Sequence, residues 1–390
     1  MRRGTNSLEV KKINRNRVFR YVHSQSETSM PDISAALDIS GPTVLTIVKE
    51  LKNAGVVAEV GELKSTGGRK AKAIASVKDI RYAVGMDITE NHVGFVYTDL
   101  DRRALEHERI RKPFRYEELY FQEIAQLLKE FIARNRIPEE KIEGVGIALP
   151  GIVDRQKNLL TDSHVLGIKD VPMERWAAHI PYSCELLNDA NAAAITEDVC
   201  CERPESNMVY LSLSNSVGGA VIFADEIKSN EGTLVSTENA SMYMGNNWRS
   251  GEFGHMVIHP EGKSCYCGKK GCLDAYCSAL NLAKLENGNL RAFFEKMESG
   301  RQDYQKLWEE YLKDLSIAVD NLRMCFDCEV VIGGYVGNHI EPYMGRLKAL
   351  VAEKDIFGRS GEYVRGCTCR EEASAYGAAL YQIEKYISKI

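Results

Sequence analysis

Residues 82–99 read YAVGMDITENHVGFVYTD, and they set the character of most of the chain. Tyr82 to Ile88 and His92 to Asp99 are two runs rich in β-formers, joined by the sharp turn Thr89-Glu90-Asn91, which predicts two neighbouring strands. Downstream, Tyr116 to Arg136 reads as a helix and Gly144 to Leu149 as a strand that stops at Pro150-Gly151. Helix and strand alternate again through Asn188–Val199, Met208–Leu213 and Val330–Gly333. That rhythm predicts an α/β body.

Upstream of Tyr82 the pattern differs. Ile13 to His23 places Val18, Phe19 and Val22 on one helical face beside Arg15, Arg17 and Arg20. Met30-Pro31-Asp32 opens a second helix, broken at Asp38-Ile39-Ser40-Gly41; a third runs from near Pro42 to Asn53 and ends at Gly55. Val44, Ile47, Val48 and Leu51 form its buried stripe, leaving Thr43, Thr46 and Lys49 on the open face. Two short helices joined by a tight turn that contains glycine suit helix-turn-helix DNA reading, with the second helix in the major groove. Val56–Val60 and Lys72–Ala75 then read as a hairpin, or wing, whose tip holds Gly67, Gly68, Arg69 and Lys70. A flexible tip with two adjacent cations suits phosphate or minor-groove contact. The boundary falls near Val77–Arg81, giving residues 1–80 as a winged helix-turn-helix and residues 81–390 as a second unit.

Charge divides along the same line. Residues 1–80 hold fourteen Lys or Arg against eight Asp or Glu, a net +6, and the remainder carries −11. A basic segment on an acidic body points to a polyanion partner for the first part alone, although a solvated charged face gives the same count. The apolar content of 44% and charged content of 27% are those of a globular protein. No apolar run approaches the roughly 20 residues of a membrane span, and the first residues lack the apolar core of a signal peptide, so a cytoplasmic protein is expected. Eleven cysteines, an odd number, argue against a disulfide framework. Cys184, Cys200, Cys201, Cys277, Cys325 and Cys328 stand among apolar neighbours and are expected to be buried thiols; Cys367 and Cys369 have no assignment.

Several ordered segments carry a resemblance: Thr66-Gly67-Gly68-Arg69-Lys70, Ala148-Leu149-Pro150-Gly151, Asn188-Asp189-Ala190-Asn191-Ala192-Ala193-Ala194, Gly251-Glu252-Phe253-Gly254-His255, Cys265 to Leu273, Gly333-Gly334 and Ala375-Tyr376-Gly377-Ala378-Ala379. In these the chain resembles the ROK family of repressors, open reading frames and sugar kinases, of the xylose and N-acetylglucosamine repressor type. The resemblance implies an actin-like, hexokinase-type body of two lobes about a cleft. It also implies that Asn188, Asp189, Glu252 and His255 contact a sugar, with Asp189 in the place of the catalytic base and Asp274 where the family often has the longer Glu. Helix capping is the competing reading of Asn188-Asp189-Ala190-Asn191. Kinases of the family carry Gly-Gly-Thr after the first-strand aspartate, whereas Asp87-Ile88 is followed here by Thr89-Glu90-Asn91; a second glycine-rich loop is reduced to Ser214-Asn215-Ser216-Val217-Gly218-Gly219. Without glycine the backbone cannot approach phosphate closely, and Glu90 repels an anion. Asp189 is then a vestigial base, and no catalysis is expected.

Cys265-x-Cys267-x4-Cys272 places three thiols within eight residues, a spacing that reads as structural zinc with a histidine as fourth ligand. His255 and His259 both lie near enough in sequence; the resemblance favours His255, with its second ring nitrogen toward the sugar. The expectation is a sugar-responsive transcriptional regulator, a repressor of carbohydrate metabolism genes. Its partners would be a double-stranded DNA operator and a sugar or sugar derivative, and it would act as a homodimer or higher homo-oligomer. An active sugar kinase with an appended DNA-binding module is the alternative, and a DNA-binding scaffold without ligand a third reading. Thr237–Arg249, with Tyr243 and Trp248, is either a loop stacking on the sugar or a packed surface loop.

Overall fold

The computed structural model describes residues 7–63, 71–200, 206–224, 234–236 and 240–390. Helices α1 (Ser7–Ser24), α2 (Met30–Leu37) and α3 (Gly41–Asn53) precede an antiparallel hairpin of β1 (Val57–Glu62) and β2 (Lys72–Ser76). Ser29 caps α2 by accepting the Asp32 N–H, and Asp38 ends it in a left-handed conformation. Val44, Ile47, Val48 and Leu51 are buried, as the stripe predicts, and Thr43, Thr46 and Lys49 are exposed. The wing tip with Gly67, Gly68, Arg69 and Lys70 lies outside the described residues.

The first lobe is built on β3 (Tyr82–Ile88), β4 (His92–Asp99), β5 (Ala104–Arg111) and β6 (Ile142–Leu149), with α4 (Glu118–Arg134) packed against them. A small sheet of β7 (Ile152–Asp154), β8 (Leu159–Ser163) and β9 (Ile168–Pro172) follows, then α5 (Met173–Ala177) and β10 (Cys184–Asn188), giving the main order β10-β6-β3-β4-β5. Helix α6 (Asp189–Cys200) leads into the second lobe: β11 (Met208–Leu213), β12 (Val217–Ala224), β13 (Leu234–Ser236), β14 (Ala240–Tyr243), β15 (Glu329–Gly333) and β16 (Val364–Gly366), ordered β13-β14-β12-β11-β15-β16. Its core is covered by the long helix Gln302–Phe326.

The C-terminal helix, Ala373–Ile387, joins these parts. Gly377 lets it lie directly on α6, because a Cβ there would overlap the Ala192 carbonyl. Its far end packs Ile383, Ile387 and Ile390 into the same apolar core as Val18, Phe19, Ile47 and Leu51 of the N-terminal helical unit. Polar contacts pin that junction: Asn16 donates to the Ile387 carbonyl at 2.6 Å, Arg15 to the Ile390 carbonyl, and buried Glu384 pairs with Arg20 at 3.1 Å and Arg102 at 3.2 Å. Cys184, Cys277 and Cys328 are buried as expected, but Cys325 is exposed near the end of the long helix, and the side chains of Cys200 and Cys201 lie outside the described residues. Its neighbour Met324 is exposed with it, so apolar neighbours in sequence do not mark a buried face there.

Candidate functional site

The site forms where β6 and β10 end and β12 begins, because α/β folds leave their clefts at the ends of strands rather than along them. Asn188 closes β10 and caps α6: its Oδ1 accepts the Asn191 N–H at 2.9 Å, while its Nδ2 donates to the Gly151 carbonyl at 3.0 Å. Capping is therefore real, and the same side chain still lines the cleft. Asp189 accepts the Ala190 N–H at 2.8 Å. Burial pushes its carboxyl up to about 7, opposed by that backbone hydrogen bond and reinforced by the charge of Glu252. Burial likewise raises Glu252.

Asn188, Asp189, Glu252 and His255 line one cavity of about 750 Å³, together with His164 and Tyr266. A narrow apolar recess opens beside Asn188 and Glu252 and is lined by Met242, Met244 and Trp248. Trp248 thus lines the recess beside the cavity, whereas Tyr243 is exposed and edges onto Phe223. Residues 237–239 lie outside the described set. Asp274 does not reach the cavity wall: it is buried and its Oδ2 accepts the Val217 N–H at 2.7 Å. The shorter side chain serves the backbone of the Ser214–Gly219 loop.

His255, Cys265, Cys267 and Cys272 come together with one donor atom each, all within 4.8 Å of one another. Cys265 Sγ lies 3.8 Å from His255 Nδ1 and Cys267 Sγ lies 3.7 Å from Cys272 Sγ. Thiolates at tetrahedral bond lengths of about 2.3 Å stand roughly 3.8 Å apart, so the donor set fits a four-coordinate metal. Gly271 makes the closure possible, with φ of +75° and a carbonyl of His259 where a Cβ would be. Cys265 and Cys272 are buried but Cys267 is exposed, so the thiols are not all interior. His259 is outside the quartet and bonds Asp314 at 2.7 Å.

On the other side of Asp189 a second cavity, of about 660 Å³, holds Asp87, Glu90, Ser214, Asn215 and Ser216. Thr89 closes its turn with its own hydroxyl, accepting the His92 N–H at 3.0 Å, and none of residues 89–91 adopts a left-handed backbone. The Asp87 carboxyl is buried with Oδ1 unpartnered. It is held well above the usual range by burial, then by the charges of Glu372 and Asp189. Across this cavity Arg109 of β5 donates to Glu372 at 3.0 Å and to the Tyr335 hydroxyl at 2.9 Å. Sequence reading missed this clasp and the Tyr266–His164 pair, for their members lie far apart in the chain.

A fold of this kind has relatives. Residues 83–385 match the ROK family, and residues 13–58 match the winged helix-turn-helix DNA-binding family. The chain belongs to the ROK family. It is 26% identical over 280 residues to a xylose repressor of Bacillus spizizenii, covering 70% of this chain and 68% of that one. To the DNA-binding transcriptional repressor Mlc of Escherichia coli it is 22% identical over 348 residues, covering 88% and 78%. In fold it is similar to a ROK family transcriptional regulator homologous to E. coli Mlc, with a TM-score of 0.76 at 17% identity and 97% of each chain covered. A ROK family glucokinase from Streptomyces griseus, solved with glucose and AMPPNP, gives 0.61 at 20% identity, covering 76% of this chain and 98% of that one. This ROK chain thus has a winged helix-turn-helix ahead of the ROK body. Among the described residues no helix is long and apolar enough to cross a membrane.

Proposed function

We propose that this ROK chain is a cytoplasmic repressor of carbohydrate metabolism genes that binds a sugar, or a sugar derivative, and does not phosphorylate it. The observation that carries the reading is the C-terminal helix: it starts at the cleft rim with Glu372 as its cap and ends inside the core of the helix-turn-helix. A change in lobe closure therefore has a rigid path to the DNA-binding helices. The two curated relatives named above are both repressors, one of them for xylose, which supports the same reading.

In this mechanism Asn188, Glu252 and His255 hydrogen-bond sugar hydroxyls, and Asp189, whose carboxyl burial raises to about 7, can donate in its protonated form as well as accept. A sugar that prefers one closure state shifts the population toward it, and the shift alters how a homodimer presents α3 and the wings to two operator half-sites. Thr43, Thr46 and Lys49 face the groove, with Arg69 and Lys70 at the wing. His255, Cys265, Cys267 and Cys272 would hold a zinc ion, which would supply a cross-link with no open position for chemistry. Residues 1–80 are the DNA module and 81–390 the sensor.

Against phosphoryl transfer, the turn at Thr89-Glu90-Asn91 offers phosphate no glycine backbone, and the Arg109–Glu372–Tyr335 clasp ties up the Arg109 guanidinium at the second cavity. The test pairs calorimetric titration of aldopentoses and aldohexoses with a coupled ATPase assay. Sugar binding with no ATP-dependent turnover is expected; turnover at about 1 s⁻¹ or faster would return the chain to the kinases. In an anisotropy titration Arg69→Ala should weaken operator binding by about 1–3 kcal/mol with the metal retained.

A further inference from the structure

The spacer residue of the metal motif, Tyr266, is built into the cleft. It sits between Cys265 and Cys267 in the second lobe, and its ring lies flat on His164 of the first lobe, with centroids 3.9 Å apart and planes 6° from parallel. Its hydroxyl lies 3.4 Å from His255 Nε2. Both Tyr266 and His164 border the 750 Å³ cavity.

The supports on either side are stiff. Ser163, next to His164, donates to the Pro150 carbonyl and accepts the Leu166 N–H at 3.1 Å, which fastens the β8–β9 turn to the cavity floor. Cys265 donates its N–H to the Lys269 carbonyl at 2.9 Å, and the Gly268 N–H returns to the Cys265 carbonyl at 3.0 Å. The two rings meet from fixed backbones, so their contact reports the spacing of the lobes at the cavity mouth.

His255 has two ring nitrogens, and the quartet uses Nδ1, the one facing Cys265. Nε2 remains for the cavity, and in this structure its partner is the tyrosine hydroxyl. At 3.4 Å the contact is near the limit for a hydrogen bond and is weak enough to be exchanged.

We propose that Tyr266 is a stand-in for the effector: its hydroxyl keeps the place of a ligand hydroxyl on His255 Nε2, and its ring latches the lobes through His164. Ligand entry and the cross-cleft stack compete for one side chain. A hydroxyl that takes Nε2 displaces the phenol, and the displaced ring leaves His164. The inference rests on the sugar reading of the cavity but adds a residue to it, and the class of ligand it selects is a polyol able to replace an O–H on an imidazole nitrogen. Bound and empty states then differ in a contact between lobes, which is what a sensor has to transmit.

The test has two arms. In ligand-free full-length protein, hydrogen exchange across residues 158–167 should speed up in His164→Ala and Tyr266→Ala and stay as in wild type in Tyr266→Phe, which keeps the ring. In calorimetry against the same aldopentoses and aldohexoses, Tyr266→Phe should bind about threefold to tenfold more tightly than wild type, because a competitor worth one weak hydrogen bond is gone. Metal content measured on each variant checks that the quartet is intact. Weaker binding by Tyr266→Phe, or affinity unchanged within about twofold, would overturn the stand-in. Unchanged exchange in both alanine variants would overturn the latch. If no sugar binds wild type or variants, the effector reading falls and the stand-in with it, while the exchange arm still decides the latch.

Discussion

The two cavities that meet at Asp189 offer a ligand different walls. The larger keeps Asn188, Glu252 and His255 at its wall, each on a strand end, helix cap or metal loop that fixes it. The other keeps the strand aspartate, Asp87, but leaves its carboxyl buried and without a partner on Oδ1, beside a clasp made of the protein's own Arg109, Glu372 and Tyr335. A side chain carries its own donor or acceptor through a change in the surrounding loops, whereas a site built on bare backbone is closed wherever one Cβ blocks the approach.

The largest effect expected from breaking this contrast is on the metal. Cys272 is fully buried. Cys272→Ser should lose one zinc per chain and several kcal/mol of stability, seen by elemental analysis and a drop of roughly 10 °C or more in Tm. Sugar binding should fail with it, since His255 is released; retention of full metal would break the quartet.

Next is Asp189→Asn. The folded carboxyl titrates at about 7, above its usual 3.8. Folding therefore favours the protonated form, and stability falls as pH rises from about 4 to about 7, then levels. Asparagine keeps the acceptor for Ala190 without that penalty. The variant should gain roughly 2–4 kcal/mol over wild type at pH 8 and little at pH 4, read from denaturant melts across that range. A gain independent of pH would mean that Asp189 is not the titrating group.

Glu252→Ala should weaken sugar binding by about 1–3 kcal/mol, by leaving a ligand hydroxyl unpaired in a closed cavity, with DNA affinity in the absence of sugar unchanged. Calorimetry and anisotropy together decide it. The smallest effect is Arg109→Ala, which should cost about 1–2 kcal/mol by stranding the buried Glu372 carboxylate and leave sugar affinity within about threefold. A large loss of sugar binding there would show that the two cavities act as one.

What was legible in the sequence was local. The α3 stripe, each wing strand, the capped start of α6 and the thiol spacing all sit within a dozen residues, where periodicity and ligand chemistry speak directly. Asp274 was placed at the ligand by its position in a motif, and nothing local announced that the Val217 N–H takes its carboxylate. Arg109 and Glu372 are 263 residues apart, and Asn16 and Ile387 are 371 apart. Such pairs exist only once two lobes and a terminal helix have docked. Tyr266 was hidden differently, as the spacer between two cysteines that drew the attention.

The seat of the DNA-binding unit has a consequence during synthesis. Its core is completed by Ile383, Ile387 and Ile390, which the ribosome makes more than 300 residues after α3. At about 5–20 residues per second the interval is roughly 15–70 s. For that time the nascent helix-turn-helix lacks part of its apolar cover, so its docking is coupled to the ROK body that is made after it.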